Sequence, residues 1–254
     1  MSHHAFKRLI TSFAIAAFAA AAGVAHAQQT LKVGSTPTGV PFTFMDTKTQ
    51  KIEGAMVDLI TAIGEDQGFK VQVEATPFAA LIPALTSNRI DLISAAMLIT
   101  PARKEVIDFS DPVFPYPEGL IVKADDKTQY KSLADLKGQT VGVQVGTVYV
   151  DFLKKNGEFA EVRTYDSIAD IIRDVGLGRI KGGFGDAPII KYQLSQRKDS
   201  GVRFADTYEP KMAGYVGIGV RKGDADTLKK VNAGLAKMKS SGKLDEILKK
   251  WNLQ

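Results

Sequence analysis

The chain has 254 residues, 44% of them hydrophobic and 24% charged, with 33 Lys+Arg against 28 Asp+Glu for a net charge of +5. This is the balance of a soluble globular protein long enough for one or two cored domains. There is no Cys, and the 3 His (His3, His4, His26) all precede Gln28, so the rest of the chain has no His- or Cys-based catalysis, no imidazole or thiolate zinc site and no disulfide.

Residues 1–27 read as an export signal. A short basic start with Lys7 and Arg8 precedes the uncharged, Ala- and Phe-rich run Ile10–Val24, and Ala25-His26-Ala27 supplies a small-residue cleavage site. The mature chain is expected to open at Gln28, its net charge lowered by those two cations from +5 to +3. No Cys follows that could carry a lipid, so a free protein in a Gram-negative periplasm is expected. No later run is apolar enough to span a membrane. The C-terminal lysines lie on helical segments as a solvated face, and nucleic acid is not expected as a partner.

Beyond Gln28, short apolar strand patterns alternate with helical ones, which predicts an α/β fold. Leu31–Ser35 predicts a strand, and Ala55–Gly68 a helix with Met56, Leu59, Ile60 and Ile63 on one face. Val71–Ala75 predicts a strand, and Phe78–Thr86 a helix with Pro83 as a kink or a misjudged start. Ile90–Ser94 predicts a strand. Thr100-Pro101 opens a helix, with Thr as N-cap and Pro in the first helical position. Leu133–Gly138 is a short helix and stop, Thr140–Val145 a strand, and Val148–Lys155 a helix entered through Gly146-Thr147. Glu161–Tyr165 is a strand, Ser167–Val175 a Ser-capped helix, Ile180–Gly185 a strand and Pro188–Gln196 a helix. Tyr215–Arg221 is a late strand, followed by the amphipathic helices Ala225–Lys239 and Lys243–Trp251. Asn88-Arg89-Ile90-Asp91 and Gly178-Arg179-Ile180-Lys181 each lead from a helix into a strand, a faint echo that points to two similar lobes.

Three positions carry candidate chemistry. Arg103 falls on the first turn of its helix, where the macrodipole disfavours a cation. There it either binds a carboxylate with its fork among free helix N–H groups or pairs on the surface with Glu105 or Asp108. Gly146-Thr147, between strand and helix, is either an anion-binding turn or a plain connection. Asp186, in Gly182-Gly183-Phe184-Gly185-Asp186-Ala187-Pro188, either takes a ligand ammonium or caps the next helix. Phe42, Phe44, Phe78 and Trp251 read first as core aromatics. A cation site on one lobe and an anion site on the other would together suit an amino-acid zwitterion bridging a cleft.

At these residues the chain resembles the periplasmic solute-binding proteins of amino-acid ABC importers, the extracellular solute-binding family 3. The resemblance runs through Leu31-Lys32-Val33-Gly34, Leu81–Leu85, Arg89-Ile90-Asp91, Ile99-Thr100-Pro101-Ala102-Arg103-Lys104, Asp108-Phe109-Ser110-Asp111-Pro112, Ser132–Gly138, Val141–Thr147, Asp186-Ala187-Pro188 and Val220–Asp224. It implies an α/β, two-lobed periplasmic binding protein fold (type II), its lobes joined by two hinge strands near Gly119–Lys123 and Gly214–Val220. Lobe 1 would comprise residues 28–118 and 218–254, and lobe 2 residues 119–217. By resemblance, Arg103 binds the α-carboxylate with the backbone N–H of Val148, and Asp186 binds the α-ammonium. Ala95 and Ala96 line the site with their backbone, Phe78 touches the ligand side chain, and Gln144 and Thr147 belong to the same site. Thr36 and Leu98 also border it, and here the chain departs from the family. Thr36 stands where many members have Asp, Gly39 where many have an aromatic, and Leu98 where a Ser or Thr hydroxyl is common. These changes argue against Lys, Arg or His being read in the usual way and leave room for a modified amino acid.

The resemblance implies a monomeric binding protein without a cofactor that delivers an amino acid to a membrane permease. The competing expectation is an enzyme on the same scaffold, resembling the periplasmic cyclohexadienyl dehydratases. It would need a carboxyl of raised pKa as general acid, with Glu53, Glu74 or Glu118 as candidates.

Overall fold

The computed structural model describes residues 28–197 and 199–253, so the export signal read over residues 1–27 lies outside the described residues. The chain begins with β1 (Thr30–Ser35), followed by a small antiparallel sheet of β2 (Thr38–Gly39), β3 (Thr43–Met45) and β4 (Ile52–Glu53). Helix α1 (Ala55–Gln67) buries Met56, Leu59, Ile60 and Ile63, the face predicted for it, and stops at Gly68, whose left-handed backbone returns its N–H to the Gly64 carbonyl. Then come β5 (Lys70–Ala75), a 3-10 turn over Phe78–Ala80, α2 (Leu81–Thr86) and β6 (Leu92–Leu98). Pro83 is the third residue of α2, where its missing N–H would be unpaired in any case, so it neither kinks nor ends the helix. β6 is buried at every residue and starts two residues later than the apolar pattern indicates.

Helix α3 (Pro101–Val106) has the predicted cap: the Thr100 hydroxyl accepts from the Arg103 N–H at 3.3 Å. β7 (Ile107–Phe109) and β8 (Phe114–Lys123) follow. Next are β9 (Thr140–Gln144), α4 (Tyr149–Asn156), β10 (Glu161–Tyr165), α5 (Ile168–Gly176), β11 (Gly182–Asp186) and α6 (Ala187–Gln196). Ser167 caps α5 by accepting from the Asp170 N–H. The chain closes with β12 (Val202–Phe204), β13 (Ala213–Arg221), α7 (Ala225–Ser240) and α8 (Lys243–Lys250).

The strands line up as β10-β9-β11-β8-β13-β6-β1-β5. One end, β5-β1-β6, is parallel and carries α1 and α2. The other, β10-β9-β11, is parallel and carries α5 and α6. β8 and β13 run antiparallel to their neighbours between the two ends. β8 changes partner part-way: Phe114–Pro117 face β13, and Glu118–Val122 face β11. The change of partner falls at Pro117–Glu118, and Ala213–Val216 of β13 pair with the first part of β8. Along this stretch β8 and β13 are backbone-paired to each other as a short two-stranded ribbon.

Candidate functional site

The site lies where the two lobes face one another above this ribbon. From lobe 1, α3 delivers Arg103, whose residue is only 8% exposed. Its Nη1 donates to the Leu98 carbonyl at 2.9 Å, and its Nη2 donates to the Gly146 carbonyl in lobe 2 at 3.2 Å. The guanidinium carbon stands 5.6 Å from the centroid of the Phe78 ring, within cation–π range. Arg103 makes no surface pair with Glu105 or Asp108; Asp108 instead takes Lys222 at 2.8 Å. A guanidinium has five N–H donors, and these two carbonyls leave most of the fork for an anion.

Below Arg103, β6 departs from regular pairing. Its registered partners run Leu98–Val216, Met97–Gly217 and then Ile93–Gly219, so Ser94–Ala96 bulge opposite Ile218. Ala96 sits at φ +49°, a left-handed backbone that costs a residue with a Cβ about 1 kcal/mol or more. Ile218 is satisfied from elsewhere: its N–H donates to the Ser110 hydroxyl, and its carbonyl accepts the Ser110 N–H. The bulge thereby takes the backbone of Ser94–Ala96 out of regular pairing with β13.

From lobe 2, β11 ends in Asp186. The Asp186 side chain does not cap α6, so the capping alternative is excluded. Its Oδ1 accepts the Tyr149 hydroxyl at 2.7 Å. Burial pushes the Asp186 carboxyl up to about 6, against the opposing effects of the Tyr149 hydrogen bond and the Arg103 charge. Burial likewise lowers Arg103, opposed first by the charge of Asp186. Each group thus feels the other across the cleft, although Arg103 donates to backbone carbonyls and not to the carboxylate.

Gly146, at φ +77°, turns the chain from β9 into α4. The Thr147 hydroxyl closes this turn on the Gln144 carbonyl at 2.7 Å, and the Gln144 amide donates to the Asp166 carbonyl at 3.0 Å. Both side chains are therefore engaged in holding the turn. Val148, the N-cap of α4, has an N–H with no protein acceptor among the described residues. Thr36 is buried with its hydroxyl 3.3 Å from that of Thr38, and Leu98 reaches the site through its carbonyl.

Two tyrosines were not legible in the sequence. Tyr149, the first residue of α4, meets Asp186 from 37 positions away. Tyr116, on β8, is fully buried edge-on to Phe42 (centroids 5.2 Å apart), and its hydroxyl has no partner among the described residues. Burial first, then the Asp186 charge, raises both phenols well above their usual range, so both are neutral hydrogen-bonding groups at physiological pH. Phe42 is core, as read. Phe44 stacks edge-on with Trp251 (5.6 Å), whose indole N–H donates to Asp58 at 2.8 Å and anchors the end of α8.

Of the three candidate acids, Glu53 accepts from Thr49 and Glu74 from Gln72, and neither is buried. Glu118 is buried at the hinge. One carboxyl oxygen accepts from the Tyr208 hydroxyl at 2.6 Å and the Lys211 N–H at 2.9 Å, and burial raises its pKa. These bonds tie β8 to the approach of β13, a hinge role. Among the described residues no metal-ligating cluster of acidic side chains is found, and no helix is long and apolar enough to cross a membrane.

Two α/β lobes on a strand hinge, one wall carrying a buried cation and the other a part-buried carboxylate, define a solute-binding protein of the cleft-closing kind. Residues 31–254 match the model of the bacterial extracellular solute-binding proteins, family 3, and the chain belongs to that family. The L-cystine-binding protein TcyJ of Escherichia coli (strain K12) is 31% identical over 222 residues, covering 87% of this chain and 82% of the relative. Among solved structures, an ancestral arginine-binding protein bound to arginine superposes with a TM-score of 0.80 at 35% identity, covering 89% of this chain and 99% of that one. The ancestral amino acid-binding protein AncCDT-1, a precursor of cyclohexadienyl dehydratase, superposes with a TM-score of 0.79 at 32% identity, covering 87% and 95%.

Proposed function

We propose that this protein captures an amino acid or amino-acid derivative in the bacterial periplasm by closing its lobes, and delivers it to the permease of an ABC importer. The lobes in this reading are residues 28–118 with 218–254, and 119–217. The observation that carries it is the pair of opposite charges on facing walls, Arg103 buried and Asp186 part-buried. Arg103 and the Val148 N–H receive the α-carboxylate, with the Ala95–Ala96 backbone beneath. Asp186 receives the α-ammonium, and the Tyr149 and Tyr116 hydroxyls offer oxygens to its remaining N–H groups. Contacts to both walls exist together only when the lobes are closed, so ligand shifts the population toward closure. Micromolar affinity needs about 8 kcal/mol, and charge-assisted hydrogen bonds in a largely dehydrated cleft supply much of it.

The named relatives are binding proteins, and the binding reading is preferred over the dehydratase one. Glu118, the one candidate acid that is buried, is held by its hinge partners. A thermal-shift screen over amino acids and derivatives tests the proposal. Ligand at a hundred times its Kd adds about 2.7 kcal/mol, a rise of roughly 5–10 °C for a chain of this size. A screen in which no α-amino acid raises the melting temperature, while prephenate or arogenate is turned over, overturns it.

A further inference from the structure

Tyr116 is a neighbour of Asp186 across the sheet. β8 and β11 pair up to Glu118 opposite Asp186, so these two side chains leave the sheet on one face. Tyr116, two positions before Glu118 on β8, leaves on that same face. It is the diagonal neighbour of Asp186, about 7–8 Å away at the backbone and within reach of an aromatic side chain. The Tyr149 hydroxyl, 2.7 Å from Asp186 Oδ1, approaches the same carboxylate from α4. The Asp186 charge acts on both phenols.

The remaining neighbours of Tyr116 offer it no hydrogen bond. Phe42 meets its ring edge-on at 5.2 Å. The residue opposite it on β13 is Gly214, and a Cβ built there would stand 3.2 Å from Leu98 Cδ2, so the Leu98 side chain fills the place of a cross-strand partner. The same Leu98 gives its carbonyl to Arg103. Tyr116 is thus set between the surroundings of the two charged anchors. It is 1% exposed, and its hydroxyl has no partner among the described residues. A polar group buried in this way is costly until a group from outside bonds to it.

We propose that the Tyr116 hydroxyl receives the third N–H of the ligand's α-ammonium and confines the site to primary α-amino acids. The inference rests on the amino-acid reading above and narrows its substrate class. A primary ammonium has three N–H groups, and the site offers three acceptors: the Asp186 carboxylate, the Tyr149 oxygen, whose own proton is directed to Asp186, and the Tyr116 oxygen. A secondary ammonium, as in an Nα-methyl amino acid or proline, has two N–H groups. Whichever N–H the extra carbon replaces, one acceptor loses its donor and faces an apolar group instead. The ligand's side chain does not enter this count, so the discrimination holds whatever side chain is bound.

The test is calorimetric titration of the processed protein with alanine, leucine, glutamine and arginine and with the Nα-methyl form of each, repeated on Tyr116→Phe. Every primary amino acid that binds the parent is expected to bind about tenfold or more tightly than its Nα-methyl form. Tyr116→Phe keeps the ring against Phe42 and removes the hydroxyl. Without ligand it should melt no lower than the parent. It should bind the primary amino acid about tenfold more weakly and reduce the methylation gap to about threefold or less. A parent that binds both forms equally, a gap that survives Tyr116→Phe, or a variant that weakens both forms alike overturns the assignment and leaves the amino-acid reading standing. A ligand-free variant that melts well below the parent makes the hydroxyl a structural group and overturns it too. Failure of all four primary amino acids to bind removes the amino-acid reading, and this inference with it.

Discussion

The Arg103 guanidinium donates across the cleft to the Gly146 carbonyl at 3.2 Å, so one side chain of lobe 1 touches the turn that opens α4 in lobe 2. The same turn lies against Ala79: a Cβ built on Gly146 would stand 2.7 Å from the Ala79 α-carbon and 2.8 Å from its Cβ. At this seam the lobes meet backbone to backbone, and only glycine fits.

Gly146→Val is therefore expected to prop the lobes apart. Strain from the φ of +77° should cost about 1–3 kcal/mol of stability. The larger effect should be on closure. Small-angle scattering is expected to show the same radius of gyration with and without saturating ligand, and affinity should fall about tenfold or more. Ligand-induced compaction equal to that of the parent would show that the seam does not control closure.

The Asp186 carboxyl titrates at about 6 in the folded protein, and a ligand ammonium beside it favours the charged form. Binding at pH 6 should therefore release about half a proton, falling toward none at pH 8. Titrations in buffers of different ionisation heat measure this directly. Affinity is expected to weaken as the pH drops below 6, because the protonated carboxyl must lose its proton before the ammonium can pair with it. A pH-independent heat, the same in every buffer, would contradict the assignment of Asp186.

The same raised pKa has a stability consequence of definite sign. Asp186 binds its proton more tightly folded than unfolded, so its favourable contribution is complete below about pH 4 and is lost as the pH rises through about 6. At pH 7.5 the apo protein therefore carries a charge its burial disfavours. Asp186→Asn, which keeps an acceptor for the Tyr149 hydroxyl, is expected to stabilise the apo protein at pH 7.5 by about 1–2 kcal/mol, with the gain vanishing near pH 4. It should also lose most ligand affinity. A variant that is less stable than the parent at pH 7.5 and binds normally would make Asp186 a structural residue.

Local signals in the sequence located most regular elements, because caps and apolar periodicity are short-range. Thr100-Pro101 and Ser167 start their helices by side-chain hydrogen bonds within three residues. The small β2–β4 sheet and the edge strands β7 and β12 are two or three residues each, too short to show a period. Arg103 and Asp186 were legible as anomalies of placement, a cation on a first helical turn and a carboxylate after a glycine run. Tyr149 and Tyr116 were not, since an aromatic on an apolar pattern reads as core until its distant partner, or the lack of one, is seen. Gln144 and Thr147 were legible as neighbours of the site, but their polar groups are bound to the turn, a choice that depends on the Asp166 carbonyl 22 positions away.

The central claim is that one small dipolar solute is held between Arg103 and Asp186. Its most direct test is calorimetric titration of Arg103→Ala with the amino acid that most raises the parent's melting temperature. The account predicts a melting temperature within a few degrees of the parent's and affinity weakened by more than about a hundredfold, as expected for truncating a buried charged anchor. A folded Arg103→Ala protein that binds this amino acid with undiminished affinity would contradict it.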